Sequence, residues 1–159
     1  MRAQPFEIVE VTTASVRFDR VLALAREVLA QDRYLLESFP HAEAAGIVGA
    51  FRGDACVGFL RYLVQQIGAD CGRPPIVRHG QPLREGYVEA LGVAPLSRRE
   101  GIGEALQQHA IDRCRMLGCY QIRSRSPVTS SENYALKLKM GYVVHPSHEN
   151  DSYYFVLRL

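Results

Sequence analysis

The stretch Ser97-Arg98-Arg99-Glu100-Gly101-Ile102-Gly103-Glu104 places two arginines and two glycines directly before an apolar pattern of helical period. A glycine in a helical turn costs roughly 1 kcal/mol against alanine, so bare backbone here calls for a use. Anion binding is one such use. The first N–H groups of a helix lack intrahelical partners, and the macrodipole adds partial positive charge there. Missing side chains at Gly101 and Gly103 would let phosphate oxygens approach the backbone. Arg98 and Arg99 would add charge and forked hydrogen bonds. Close helix–strand packing with solvated arginines is the plainer use. The Gly-Lys-Ser/Thr of a nucleoside-triphosphate loop is missing. The dinucleotide fingerprint is incomplete, and the preceding order is hairpin-like rather than βαβ.

The elements that would hold this stretch can be read along the chain. Residues 6–11, FEIVEV, read as a strand, and Phe18, Val21, Leu22, Ala25, Val28 and Leu29 form one helical face. That helix, or a second short one, runs towards Pro40. GIVGAFRG and ACVGFLRYLVQQIG follow as a hairpin turning at Gly53-Asp54. Residues 69–86, rich in proline and glycine, read as a long loop. GYVEALGVAP is the fourth strand, and the helix after it carries Ile102, Leu106, Ala110, Cys114 and Leu117 on one side until Gly118. CYQIRSRS is a fifth strand. Thr129 and Glu132 have capping-box spacing for a short helix ending at Gly141, and YVVH and SYYFVLRL close the chain as strands. A hairpin followed by strand–helix–strand–helix gives a mixed α/β, or α+β, sheet.

The totals exclude several classes. The 159 residues fit one domain, and a net charge of +2 gives no electrostatic case for nucleic acid. No apolar run approaches the roughly 20 residues of a membrane span, and MRAQPFEIVEV lacks the apolar centre of a signal peptide. A cytoplasmic protein is the expectation. Cys56, Cys71, Cys114 and Cys119 have neither C-x-x-C spacing nor a histidine cluster, so reduced thiols and no metal site are expected.

VEALGVAPLSRREGIGEAL resembles the acyl-CoA signature of the GNAT N-acetyltransferase family, which carries Q/R-x-x-G-x-G/A directly after its fourth strand. Arg98 to Gly103 fit it, with Val93-Ala94-Pro95 upstream, and the order of elements follows the family over nearly all of the chain. The resemblance implies a single domain over residues 1–159, with a central mixed sheet of about six to seven strands flanked by helices. It implies acetyl-CoA as cosubstrate. The pyrophosphate would lie on backbone N–H groups from Arg99 through Glu100, Gly101, Ile102 and Gly103 to Glu104. The pantetheine arm would pair with main chain at Leu91 and Val93. Homodimers are frequent among similar proteins.

Acetyl transfer to an amine needs a neutral nucleophile, a donor for the developing oxyanion and a proton for the departing thiolate. Alternation places Tyr87, Glu89, Leu91 and Val93 on one face of the fourth strand. A carboxylate among those neighbours has a raised pKa, which suits Glu89 as base. A salt-bridged strand-end glutamate is the alternative, and Glu85, assigned to the loop, is a weaker candidate. The Val93 N–H matches the family's oxyanion donor. Where many members carry a tyrosine acid, four residues before the closing glycine, this chain has Lys137. Lys137 could donate the proton or pair with a coenzyme A phosphate. It could equally be a solvated helix residue. Tyr134, one turn earlier, could substitute as the acid. Ser130 stands where the family has asparagine at the start of this helix, on the cofactor side. The acceptor, a small-molecule amine or a protein amine, would touch Tyr34 to His41, residues 69–86 and residues 145–152, where no one sign of charge dominates. A non-catalytic acyl-CoA-binding module is the alternative function, and a nucleotide or phosphate-ligand binder a weaker one.

Overall fold

The computed structural model describes residues 4–28, 30–149 and 151–159, so Leu29, Met1 to Ala3 and Asn150 lie outside the described residues. Seven strands make one sheet: β1 (Glu7–Val11), β2 (Ala44–Arg52), β3 (Ala55–Gln66), β4 (Arg84–Val93), β5 (Gln121–Pro127), β6 (Val143–Pro146) and β7 (Ser152–Arg158). Their order is β1-β2-β3-β4-β5-β7-β6. Every pairing is antiparallel except β4 with β5, because a helix carries the chain across between those two. Helices α1 (Phe18–Glu27) and α2 (Asp32–Leu36) precede the β2–β3 hairpin. Helix α3 (Ile102–Met116) is the β4–β5 crossover, and α4 (Ser131–Lys139) follows β5.

Two apolar cores lie on opposite faces of the sheet. On one, Phe18, Val21, Leu24 and Ala25 of α1 pack on Ile47, Phe51, Phe59 and Ala90. On the other, Ile102, Leu106, Ala110 and Cys114 of α3 pack on Val48, Leu60, Tyr62, Val88 and Ile122. No described helix is long and apolar enough to cross a membrane. The four cysteines are free.

Three expectations are corrected. The segment read as a loop over 69–86 holds a one-turn helix at Ala69–Cys71 and a two-residue ribbon pairing Val77-Arg78 with Gln81-Pro82, and β4 begins already at Arg84. Glu85 is therefore a strand residue. Helix α4 takes Ser130 rather than Thr129 as its N-cap, with no side-chain cap hydrogen bond. Alternation along β4 breaks at Glu89. Val88 pairs with Tyr62 and Ala90 with Arg61, leaving Glu89 as the extra residue of a bulge. Val88, Leu91 and Val93 consequently join the α3 core while Ala90 joins the α1 core.

Candidate active site

The β4–β5 ladder is short. It runs only from Glu85 opposite Gln121 to Val88 opposite Ser124. Beyond that point Glu89–Val93 and Arg125–Pro127 have no partner in each other, and the strands open into a cleft of about 720 Å³. Ala94 N–H donates to the Val57 carbonyl on the β3 side. By the two-residue period of a strand, the backbone groups of Leu91 and Val93 then face away from β3, into the cleft. Both residues line it.

The glycine-bearing turn closes one end. After a one-turn helix at Pro95–Ser97, Arg99 (φ 66°) and Gly101 (φ 81°) are both left-handed. Gly101 is the N-cap of α3 and needs glycine for its conformation. Gly103 has an ordinary helical backbone, and the protein's own atoms leave room for a Cβ there. A Cβ there would stand 3.5 Å from Leu136 Cδ2 and 3.9 Å from Val93 Cγ2, inside the cleft mouth. Ile102 is buried under Gly58, so only its backbone is available to a ligand. Arg98, Arg99, Gly101, Gly103 and Glu104 line the cleft.

The charges around this turn are sorted by sign. The Glu100 carboxylate is taken by Arg52, whose guanidinium also donates to Ser97 Oγ at 3.1 Å and to the Gln4 carbonyl at 3.2 Å. Glu104 is taken by Lys139 at 2.6 Å. Arg98 and Arg99 make no ion pair among the described residues. The two acids are neutralised while the two arginines keep their charge for an anion. Arg52 has no signal in the local sequence, since it reaches the turn from a strand 48 positions away.

Glu89 lies at the opening of the strands. Burial pushes its carboxyl up to about 7; Arg61 opposes this, while Glu37 and Asp70 add to it. Its Oε2 is buried with no hydrogen-bond partner among the described residues. The bulge removes it from the ladder and aims it at this spot, with Tyr87 on the opposite face from Leu91 and Val93. Glu85, in contrast, is saturated. It accepts from Arg123, Gln65, Gln121 and the Gly68 N–H, all within 2.8–3.2 Å, and is fully buried. It has no lone pair to spare for chemistry. Arg123, stacked between the Tyr87 and Tyr154 rings at 4.5 and 4.7 Å, ties this cluster to Asp70.

Lys137 is 1 % exposed, against the solvated alternative. The cause is the end of α4. Gly141 (φ 88°) donates to the Leu138 carbonyl and Tyr142 to the Lys137 carbonyl at 3.0 Å, the two bonds of a Schellman motif. That return folds the Tyr142 ring over Lys137, with Nζ 4.3 Å from its centroid. The ring face offsets part of the cost of the charge. Even so, burial pulls the ammonium down to about 7, and Nζ has no hydrogen-bond partner among the described residues. Lys137 lines the cleft, as does Ser130. Tyr134 does not. Its ring packs edge-on against Tyr153 and Phe155 at 6.1 and 5.1 Å.

Several cleft residues carry no motif and escaped sequence reasoning: Gln31, Gln107, Ser124 and Asn133. Each holds a buried polar atom without a partner, as Glu89 and Lys137 do. Of nine such atoms among the described residues, these six line this one cleft, so it is built for a polar guest. The three regions expected to meet an acceptor also converge. Glu37 and Asp70 act on Glu89, and the Tyr154 hydroxyl lies 3.6 Å from Cys71 Sγ and 3.3 Å from His148 Nδ1. No group of metal-ligating side chains occurs among the described residues.

Comparison with known proteins agrees with this geometry. No curated protein sequence matches the chain. Among solved structures it resembles Arabidopsis thaliana NAA60 in complex with acetyl-CoA, at 14% identity and a TM-score of 0.76, covering 98% of this chain and 99% of that one. It also resembles the PaiA N-acetyltransferase of Thermoplasma acidophilum in complex with coenzyme A, at 14% identity and 0.70, over 98% and 99% of the two chains. A third is the ribosomal-protein-S18-alanine N-acetyltransferase of Escherichia coli, at 13% identity and 0.64, over 98% and 93%. The model of the acetyltransferase (GNAT) family matches residues 17–142, most of the sequence. The chain belongs to the GNAT acetyltransferase family.

Proposed function

We propose that the protein is an N-acetyltransferase that moves an acetyl group from acetyl-CoA to a primary amine on a small molecule or a protein. The observation that carries this reading is the cleft between the splayed strands. It joins a glycine turn with two arginines that make no ion pair among the described residues, an open strand edge and a half-buried carboxylate whose Oε2 has no partner among them. Backbone N–H groups from Arg99 to Glu104 bind the pyrophosphate, helped by Arg98 and Arg99. The main chain at Leu91 and Val93 pairs with the pantetheine arm, and the Val93 N–H polarises the thioester carbonyl. Ser130 lines the same side. Glu89 takes the proton of the attacking amine, directly or through water, and Lys137 returns one to the departing thiolate. Tyr134 has no part in this.

The absence of the family's tyrosine at position 137 favours, as a second reading, a module that binds acyl-CoA without turnover. One experiment separates the possibilities. Isothermal titration with acetyl-CoA, desulfo-CoA and ATP is paired with free-thiol detection over an amine panel. Binding of both coenzyme A forms but not ATP, with thiol release that needs an amine, is the expected result. Binding without release over the whole panel supports the module. Equal binding of ATP overturns the coenzyme A assignment.

The Gly103→Val variant tests the approach of ligand to backbone. A valine keeps an allowed helical backbone but fills the cleft mouth between Leu136 and Val93. Affinity for acetyl-CoA is expected to fall about a hundredfold or more, roughly 2.7 kcal/mol, with the thermal unfolding midpoint nearly unchanged. Unaltered affinity would mean that the first turn of α3 is not where the ligand lies.

A further inference from the structure

Gln107 of α3, Ser124 of β5 and Lys137 of α4 are each more than nine-tenths buried and line the same cleft. Each carries a polar atom without a partner: Gln107 Nε2, Ser124 Oγ and Lys137 Nζ. They converge on one side of the sheet. The Tyr142 hydroxyl donates to Gln107 Oε1 at 3.0 Å, while its ring lies 4.3 Å from Lys137 Nζ. One residue thus spans the two. Ser124 shares its face of β5 with Ser126, to which Asn133 of α4 is bonded. Gln107 is held by its carbonyl, so its amide leaves donors. The ammonium has donors only, and the hydroxyl can donate.

Three donors, one of them cationic, line this cleft and none is bonded to an acceptor of the described residues, although Glu89 Oε2, Gln31 Oε1 and Asn133 Oδ1 line it too. Lys137 Nζ has no hydrogen-bond partner among the described residues, so no carboxylate of theirs is bonded to it. The methyl of an acetyl group offers these donors nothing. A carboxylate is acceptor-only, has lone pairs for all three, and restores the missing counter-charge.

We propose that the cleft also takes, and prefers to an apolar chain of equal length, a short acyl group ending in a carboxylate, as in succinyl-CoA, with Lys137, Gln107 and Ser124 holding the terminal carboxylate. This rests on the acyl-transfer reading above. The transfer balances as for acetyl. The amine nitrogen bonds to the thioester carbon, the C–S bond breaks, Glu89 takes the amine proton, and coenzyme A leaves as the thiol. Lys137 has three N–H donors, so a bound carboxylate leaves others for the thiolate.

The test compares acetyl-, butyryl- and succinyl-CoA by titration and by initial rates. Butyryl matches succinyl in chain length and lacks only the charge. Wild type is expected to bind succinyl-CoA about tenfold or more tighter than butyryl-CoA, a difference of roughly 1.4 kcal/mol. Lys137→Met should reverse the order. Gln107→Leu should narrow it and serves as a second variant if the first folds poorly. Equal binding of the two donors by wild type, or an unchanged ratio in Lys137→Met, overturns the proposal. Acetyl-CoA bound and turned over in that same case leaves acetyl transfer standing. Failure of every donor to bind removes both readings.

Discussion

Replacing Glu89 with glutamine is expected to lower kcat/KM about a thousandfold, within the usual range for losing a general base, while acetyl-CoA affinity stays within about twofold of wild type. The separation of the two effects follows from position. Glu89 sits at the opening of the strands on the bulge, away from the turn at Arg99 to Glu104 that is proposed to bind the phosphates. Its carboxyl, held at about 7 chiefly by burial, is half deprotonated at the pH where an amine must be relieved of a proton. Wild-type kcat/KM should therefore rise with pH through about 7, and Glu89→Gln should lose that acidic limb. The same shift has a stability consequence of known sign. The folded carboxyl keeps its proton up to about 7, whereas the unfolded one loses it near 4.5. Stability from this group is thus fully present below 4.5 and is lost as pH rises through 7. The glutamine variant should gain on wild type above pH 7. Stopped assays across pH 5.5 to about 9, with thermal melts at each end, read all three effects. Retained turnover in Glu89→Gln would move the base elsewhere.

How much of this was written in the sequence depends on how local the cause is. The two glycines were legible because a helix start is encoded within a few residues. The structure separates the two: Gly101 is required for its left-handed conformation, while Gly103 has an ordinary helical backbone at the cleft mouth. The succession of strands and helices along the chain followed from hydrophobic period in the same way. Glu89 was identifiable as a carboxylate in an apolar strand, but the face it points to was not. A bulge is a property of register with β3, and a single strand read alone alternates without interruption. Glu85 was misassigned because its strand continues beyond the last hydrophobic alternation into a segment whose pairing to Gln65 and Arg123 is long-range. Arg52 reached Glu100 from another strand, which no window shows. Lys137 was found by its place before Gly141, yet its burial depends on where Tyr142 lands after the helix ends.

Lys137→Met is expected to make the protein more stable and a poorer catalyst. Methionine matches the unbranched stem and has no charge to bury. A pKa brought from 10.5 to about 7 corresponds to roughly 5 kcal/mol between charged and neutral forms. Discounted for relaxation around the side chain, a gain of about 3 kcal/mol at pH 7 is reasonable, or about 6–12 °C in the unfolding midpoint for a chain of this size. The sign with pH is fixed by linkage. Between about 7 and 10.5 the unfolded lysine holds its proton and the buried one has lost it, so wild-type stability climbs with pH across that window. The variant lacks the climb. Its advantage is therefore greatest below pH 7 and closes towards pH 10.5, a pattern that repacking alone would not produce. Turnover should fall about tenfold, less than for Glu89→Gln, because a thiolate departs tolerably without an acid. The alkaline limb of the wild-type profile, where Lys137 loses its proton above about 7, should flatten at the same time. Melting curves of both proteins at pH 6 and at about pH 10 decide the first part. An advantage that does not depend on pH would mean that Lys137 holds its proton equally in the folded and unfolded chain, and so stays charged in the folded protein at both values. The alkaline limb near 7 would then belong to another group.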